Sequence, residues 1–132
     1  MQRRLALIAD DSKIFRACQI AILQEQGFDV VETDNGREAL DLALSRRPSL
    51  LLLDALMPVL SGFQVIEKLR EKLPSYQPTI FLVTAVYKSR RWEAEARKQY
   101  QVHEYLEKPL EEEVLIAALR RHFPAGGWLA PE

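Results

Sequence analysis

Two hydrophobic periods alternate along this chain. Short apolar runs of strand length are separated by longer stretches with apolar residues three and four apart. The runs are Leu5–Ala9, Val30–Thr33, Leu50–Leu53, Thr79–Val83 and the short Tyr105–Leu106. Four of the five are almost wholly apolar, which suits strands covered on both faces rather than strands with one face in water. Repeated strand–helix units of this kind close into a parallel sheet joined by right-handed crossovers.

The intervening stretches carry helix punctuation. Ser12 can cap a helix bearing Ile14, Ala17, Cys18, Ala21 and Ile22 on its inward side, with Gly27 placed to end it. Asn35 can cap a second, which buries Ala39, Leu40, Ala43 and Leu44 and stops before Pro48. A third starts near Ser61, turns Val65, Ile66 and Leu69 inward and ends before Pro74. A fourth is expected roughly from Lys88 to Tyr100, and a last one beside Pro109 with Val114, Leu115, Ala118 and Leu119 inward. The fold expected is α/β: a five-stranded parallel sheet of flavodoxin-like order 2-1-3-4-5 with helices on both faces. Residues 1–122 form this domain, and 123–132, beginning Phe123-Pro124-Ala125-Gly126-Gly127-Trp128, read as a tail or linker stub.

Composition removes several function classes. Eighteen Lys and Arg against nineteen Asp and Glu leave a net charge of −1, so no bulk field draws the chain to nucleic acid or to an anionic membrane. The apolar run after Arg3-Arg4 stops at Asp10-Asp11, too soon for a secretory signal, and no run approaches a membrane span. A cytoplasmic setting is expected, and the single Cys18 fits a reducing compartment as a small core residue.

In an open parallel sheet, ligands bind beyond the carboxyl ends of the strands, where the strand order reverses. The polar residues that follow the strands are Asp10-Asp11 after the first, Asp54 after the third, Thr84 after the fourth and Lys108 after the fifth. Each alone reads as a strand end, a cap or a surface charge. Taken jointly, at one end of one sheet, they read as a site. Three crowded carboxylates resist ionising together unless a cation sits among them, and oxygen ligands of this kind suit Mg²⁺. A carboxylate can act as a nucleophile toward phosphorus, a reaction that asks mainly for positioning and charge neutralisation.

At these residues the sequence resembles the receiver domain of two-component response regulators, from Leu5 to His122. The resemblance rests on Asp10-Asp11-Ser12, Leu53-Asp54 with Met57-Pro58, Gly62, Thr84-Ala85 and Tyr105-Leu106-Glu107-Lys108-Pro109. It implies that Asp54 accepts a phosphoryl group from a histidine kinase or phosphotransfer protein, with Mg²⁺ held by Asp10, Asp11, Asp54 and the Leu56 backbone carbonyl. It also implies that Lys108 contacts the phosphoryl group, through a cis bond to Pro109. Thr84 and Tyr105 match a switch pair that remodels the face of the fourth helix, fifth strand and last helix toward a downstream protein. The charge balance leads us to expect no direct nucleic-acid or membrane contact, and a homodimer on phosphorylation is left open. Leu56 and Val86 match positions that flank the path of attacking water, and both are apolar, so a long-lived phosphoryl group is expected.

Two departures concern the output side. Gln101-Val102 stands where the family often has Gly-Ala, and the segment from Thr84 to Lys108, containing Lys88, Arg90, Arg91 and Trp92, is somewhat long. Other readings are a phosphorylation-independent scaffold or the receiver part of a larger regulator with an effector domain. A phosphatase of the haloacid-dehalogenase type is disfavoured, because Leu56 stands where such enzymes carry a second Asp. The chain is expected to be a phosphoacceptor switch rather than an enzyme.

Overall fold

The computed structural model describes residues 2–85, 94, 98 and 100–128. Its elements are β1 (Leu5–Ala9), α1 (Lys13–Glu25), β2 (Asp29–Thr33), α2 (Gly36–Arg46), β3 (Leu50–Asp54), α3 (Gly62–Lys72), β4 (Thr79–Thr84), β5 (Glu104–Glu107) and α4 (Glu112–His122). The five strands form one parallel sheet in the order β2-β1-β3-β4-β5. The expected fold and strand order are therefore what the chain adopts. The fourth expected helix, Lys88 to Tyr100, falls almost entirely outside the described residues; Ala94, Lys98 and Tyr100 are helical.

Strand side chains alternate between the two faces of the sheet, and each face has its own core. Leu7, Leu51, Leu53, Ile80 and Leu82 pack against Ala39, Leu40 and Ala43 of α2 and Val65, Ile66 and Leu69 of α3. Ala6, Ile8, Leu50, Leu52, Phe81 and Val83 pack against Leu23 of α1 and Leu115, Ala118 and Leu119 of α4. All of these are buried, so truncating one of the leucines to alanine costs about 2–5 kcal/mol.

The expected caps form. Ser12, Asn35 and Ser61 accept hydrogen bonds from the backbone N–H groups of Phe15, Glu38 and Gln64, and Ser61 and Gln64 close a reciprocal capping box. The face of α1 does not follow expectation. Ile14 is 76% exposed, and Ala17, Cys18 and Ala21 also lie at the surface, whereas Gln19 and Leu23 are buried. Cys18 is thus a surface thiol and not a core residue. Two interleaved stripes on α1 both have helical spacing, and the one carrying the large Leu23 turns to the sheet. On α4, Val114 is likewise exposed while Leu115, Ala118 and Leu119 are inward.

The segment after His122 is packed on the domain. Phe123 is buried edge-on against Phe28, with ring centroids 5.2 Å apart. The Arg4 N–H donates to the Gly127 carbonyl (2.6 Å), the Gly127 N–H donates to the Gln26 carbonyl (2.7 Å), and Arg3 pairs antiparallel with Trp128. This approach depends on Gly27, whose φ of 93° ends α1, and on Gly127, where a Cβ would run into the Gly27 backbone. Residues 123–128 therefore pack against the N-terminal ends of β1 and β2.

Candidate functional site

The carboxyl ends of β1 and β3 are neighbours in the sheet, and each delivers an aspartate to the same place. Asp10 follows Ala9, and its N–H donates to the Thr33 carbonyl (3.1 Å), which fixes it to the end of β2. Its Oδ1 accepts the Ser12 N–H (2.8 Å), so the carboxylate shapes the turn that leads into α1. Asp54 is the last residue of β3. Its Oδ1 accepts the Leu56 N–H (3.1 Å). Gly62 lets the start of α3 approach the Asp54 carbonyl, a space that a Cβ would fill.

Lys108 connects the two aspartates. Its Nζ lies 2.7 Å from Asp10 Oδ2 and 2.9 Å from Asp54 Oδ2, and the three side chains are respectively 6%, 1% and 7% exposed. The Lys108 N–H donates to the Thr84 carbonyl (2.9 Å), the bond that closes the Thr84–Glu107 pair and fixes the lysine at the carboxyl end of the sheet. The Lys108–Pro109 bond is cis, as expected. Thr84 is buried at the end of β4, and Tyr105 is buried among the residues of the α2–α3 face.

Asp11 completes an acidic group. It is exposed, and one carboxylate oxygen from each of Asp10, Asp11 and Asp54 lies within 4.8 Å of the others. Among the described residues no other cluster of acids, histidines or cysteines has this geometry. Burial raises the Asp54 pKa above its ordinary value despite the opposing Lys108 and Leu56 contacts, with Asp10 adding to the rise. Burial works against the Lys108 charge, but the Asp10 and Asp54 carboxylates outweigh it and raise the lysine's pKa. Three carboxylates against one ammonium leave an excess of negative charge, the environment a hard dication needs.

The sequence reading brought Asp10, Asp11, Asp54, Thr84 and Lys108 to one end of the sheet, and the structure places them there. Leu56 is exposed beside the acids, while Val86 and the Lys88/Arg90/Arg91/Trp92 segment lie outside the described residues. One residue of the site was missed. The Phe15 ring lies over the Lys108 ammonium, 4.6 Å from Nζ to centroid. Its place three residues after the Ser12 cap was the available signal: Ile14 and Phe15 are adjacent, and only one of them can turn toward the pocket.

Comparison with known proteins agrees with this geometry. The family model of the response regulator receiver domain matches residues 6–120. The chain belongs to the response-regulator receiver family. This receiver is 30% identical to Protein PilH of Pseudomonas aeruginosa over 86% of its own length and 92% of PilH. It is 34% identical to the transcriptional regulatory protein YkoG of Bacillus subtilis, covering 88% of this chain but 49% of YkoG. Among solved structures, the chemotaxis response regulator CheY4 of Vibrio cholerae superposes with a TM-score of 0.81 at 28% identity, covering 91% of the receiver and 98% of CheY4. No helix among the described residues is long and apolar enough to cross a membrane.

Proposed function

We propose that this receiver is a phosphorylation-dependent switch in which Asp54 accepts a phosphoryl group from the phosphohistidine of a histidine kinase or phosphotransfer protein. The observation that carries the reading is the Lys108 ammonium, placed between the Asp10 and Asp54 carboxylates with Asp11 at the same pocket. An Asp54 carboxylate oxygen attacks phosphorus, the P–N bond breaks, and the imidazole leaves with the electron pair. Lys108 neutralises the phosphoryl oxygens and Thr84 donates a hydrogen bond to one of them.

Asp10, Asp11, Asp54 and the Leu56 carbonyl would hold Mg²⁺, which supplies charge neutralisation to the phosphoryl oxygens when bound. The exposed apolar residues Ile14, Leu56 and Val59 lie on the segments that leave the pocket, a rim suited to a protein phosphodonor. The new charge would bias Thr84 and Tyr105 and so the β5 and α4 face read by a downstream protein, with homodimerisation as one outcome. The protein would act in the cytoplasm and turn over nothing but its own phosphoryl group.

Intact-mass measurement after incubation with acetyl phosphate and Mg²⁺ tests this. One phosphoryl group should be gained, and none should be gained when Mg²⁺ is chelated before the donor is added or when Asp54 is replaced by asparagine. With Leu56 offering no group to orient water, the adduct should persist for minutes; decay within seconds contradicts that part. No Mg²⁺-dependent gain from acetyl phosphate or from a phosphorylated phosphotransfer protein would overturn the reading.

A further inference from the structure

We propose that Phe15 is a positioning residue for the phosphoryl-transfer site, its ring face holding the Lys108 ammonium over Asp54. The inference rests on the reading of Asp54 as acceptor and adds to it a residue outside the carboxylate–lysine set.

Phe15 is half-buried and packs into neither of the two cores among the described residues. Its ring covers a cation instead. The side chain reaches that place through a closed set of contacts. The Asp10 carboxylate accepts the Ser12 N–H, the Ser12 hydroxyl accepts the Phe15 N–H (3.4 Å), the ring faces Lys108 Nζ, and Nζ returns to Asp10. The first turn of α1 is thereby aimed by the same aspartate that pairs with the lysine.

The ring does what a third acid would not. An ammonium has three donors; one is directed at Asp54 Oδ2, while Asp10 Oδ2 is held by charge, 2.7 Å away but without hydrogen-bond alignment. When an incoming phosphoryl oxygen competes for the lysine, the ammonium must turn from the carboxylates without leaving the pocket. A π face attracts the cation without directional hydrogen bonding, so it keeps Nζ in place while its donors exchange partners. The attraction is strongest where water is excluded, and the Lys108 side chain is only 6% exposed.

The test compares Phe15→Leu, which keeps an apolar side chain without the π face, with Phe15→Tyr, which keeps the ring. Phe15→Leu should slow phosphorylation by acetyl phosphate about three- to thirty-fold, the range of a cation–π contact, and Phe15→Tyr should restore most of the rate. The direct readout is the proton NMR of the Lys108 ε-methylene. Its resonance should be displaced upfield by the ring in wild type and in Phe15→Tyr, and should return to the ordinary lysine position in Phe15→Leu. Equal rates for wild type and Phe15→Leu, or a wild-type resonance with no ring displacement, overturns the inference while leaving acceptance by Asp54 standing. Absence of phosphorylation in wild type would instead strike the underlying function, and the resonance would still report on the contact.

Discussion

Exchanging Lys108 for methionine keeps the apolar stem and removes the charge between two buried carboxylates. Asp10 and Asp54 would each lose an ammonium partner, at 2.7 and 2.9 Å, and face one another with Asp11 nearby. Removing one member of a buried ion pair costs about 3–5 kcal/mol, and the lower end applies because a carboxyl can escape by taking up a proton. Asp54 already has a pKa raised by burial, and loss of Lys108 raises it further. A carboxyl whose folded-state pKa exceeds its unfolded value weakens the fold as pH rises through the interval between them. Lys108 has a raised pKa, with burial outweighed by its two carboxylate partners, so its contribution is fully present at neutral pH. Lys108→Met should therefore be about 3 kcal/mol less stable than wild type near neutrality, about 10 °C in Tm for a domain of this size. The deficit should shrink on acidification as both proteins protonate their acids. Urea denaturation at about pH 7.5 and about pH 4.5 measures both, and millimolar Mg²⁺ should stabilise the variant more than wild type. A variant within about 0.5 kcal/mol of wild type at neutral pH, no more than an exposed pair is worth, would refute the electrostatic account of the pocket.

Two further expectations concern the backbone and the chain end. Val59 has a φ of 72° and is 74% exposed, so it bears a left-handed penalty of about 1–2 kcal/mol that little burial offsets. Val59→Gly should stabilise the domain by about 0.5–1 kcal/mol after the entropy of glycine is subtracted; a loss of stability in thermal unfolding would show that the strain is absent. Phe123→Ala removes a buried ring from Phe28 and should cost about 3 kcal/mol. A cost near zero would mean that the segment behaves as a free linker.

Much of this receiver is legible in the sequence because its strands are buried on both faces. Leu50 to Leu53 has no polar alternative to a central strand, and the aspartates, threonine and lysine must then follow strand ends. The caps at Ser12, Asn35 and Ser61 are local chemistry and equally readable. The misreadings arose where several placements satisfied the same pattern. On α1 both the Ile14–Cys18 stripe and the Gln19–Leu23 stripe repeat with helical spacing, and only the sheet decides which is buried. The docking of 123–128 relies on backbone passing close to backbone at Gly27 and Gly127, which leaves no periodicity to detect. Phe15 was missed because aromatic residues in amphipathic helices usually serve the core.

The clasp between Arg3 and Trp128 puts the two ends of the described chain side by side, before β1, whereas the acceptor lies beyond its far end. A strand rises about 3.3 Å per residue, so the seven residues from Arg3 to Asp10 set roughly 20 Å of sheet between them. A fluorophore placed at Arg3 or Trp128 therefore sits at the pole opposite the pocket, and a phosphodonor approaching Asp54 need not displace it.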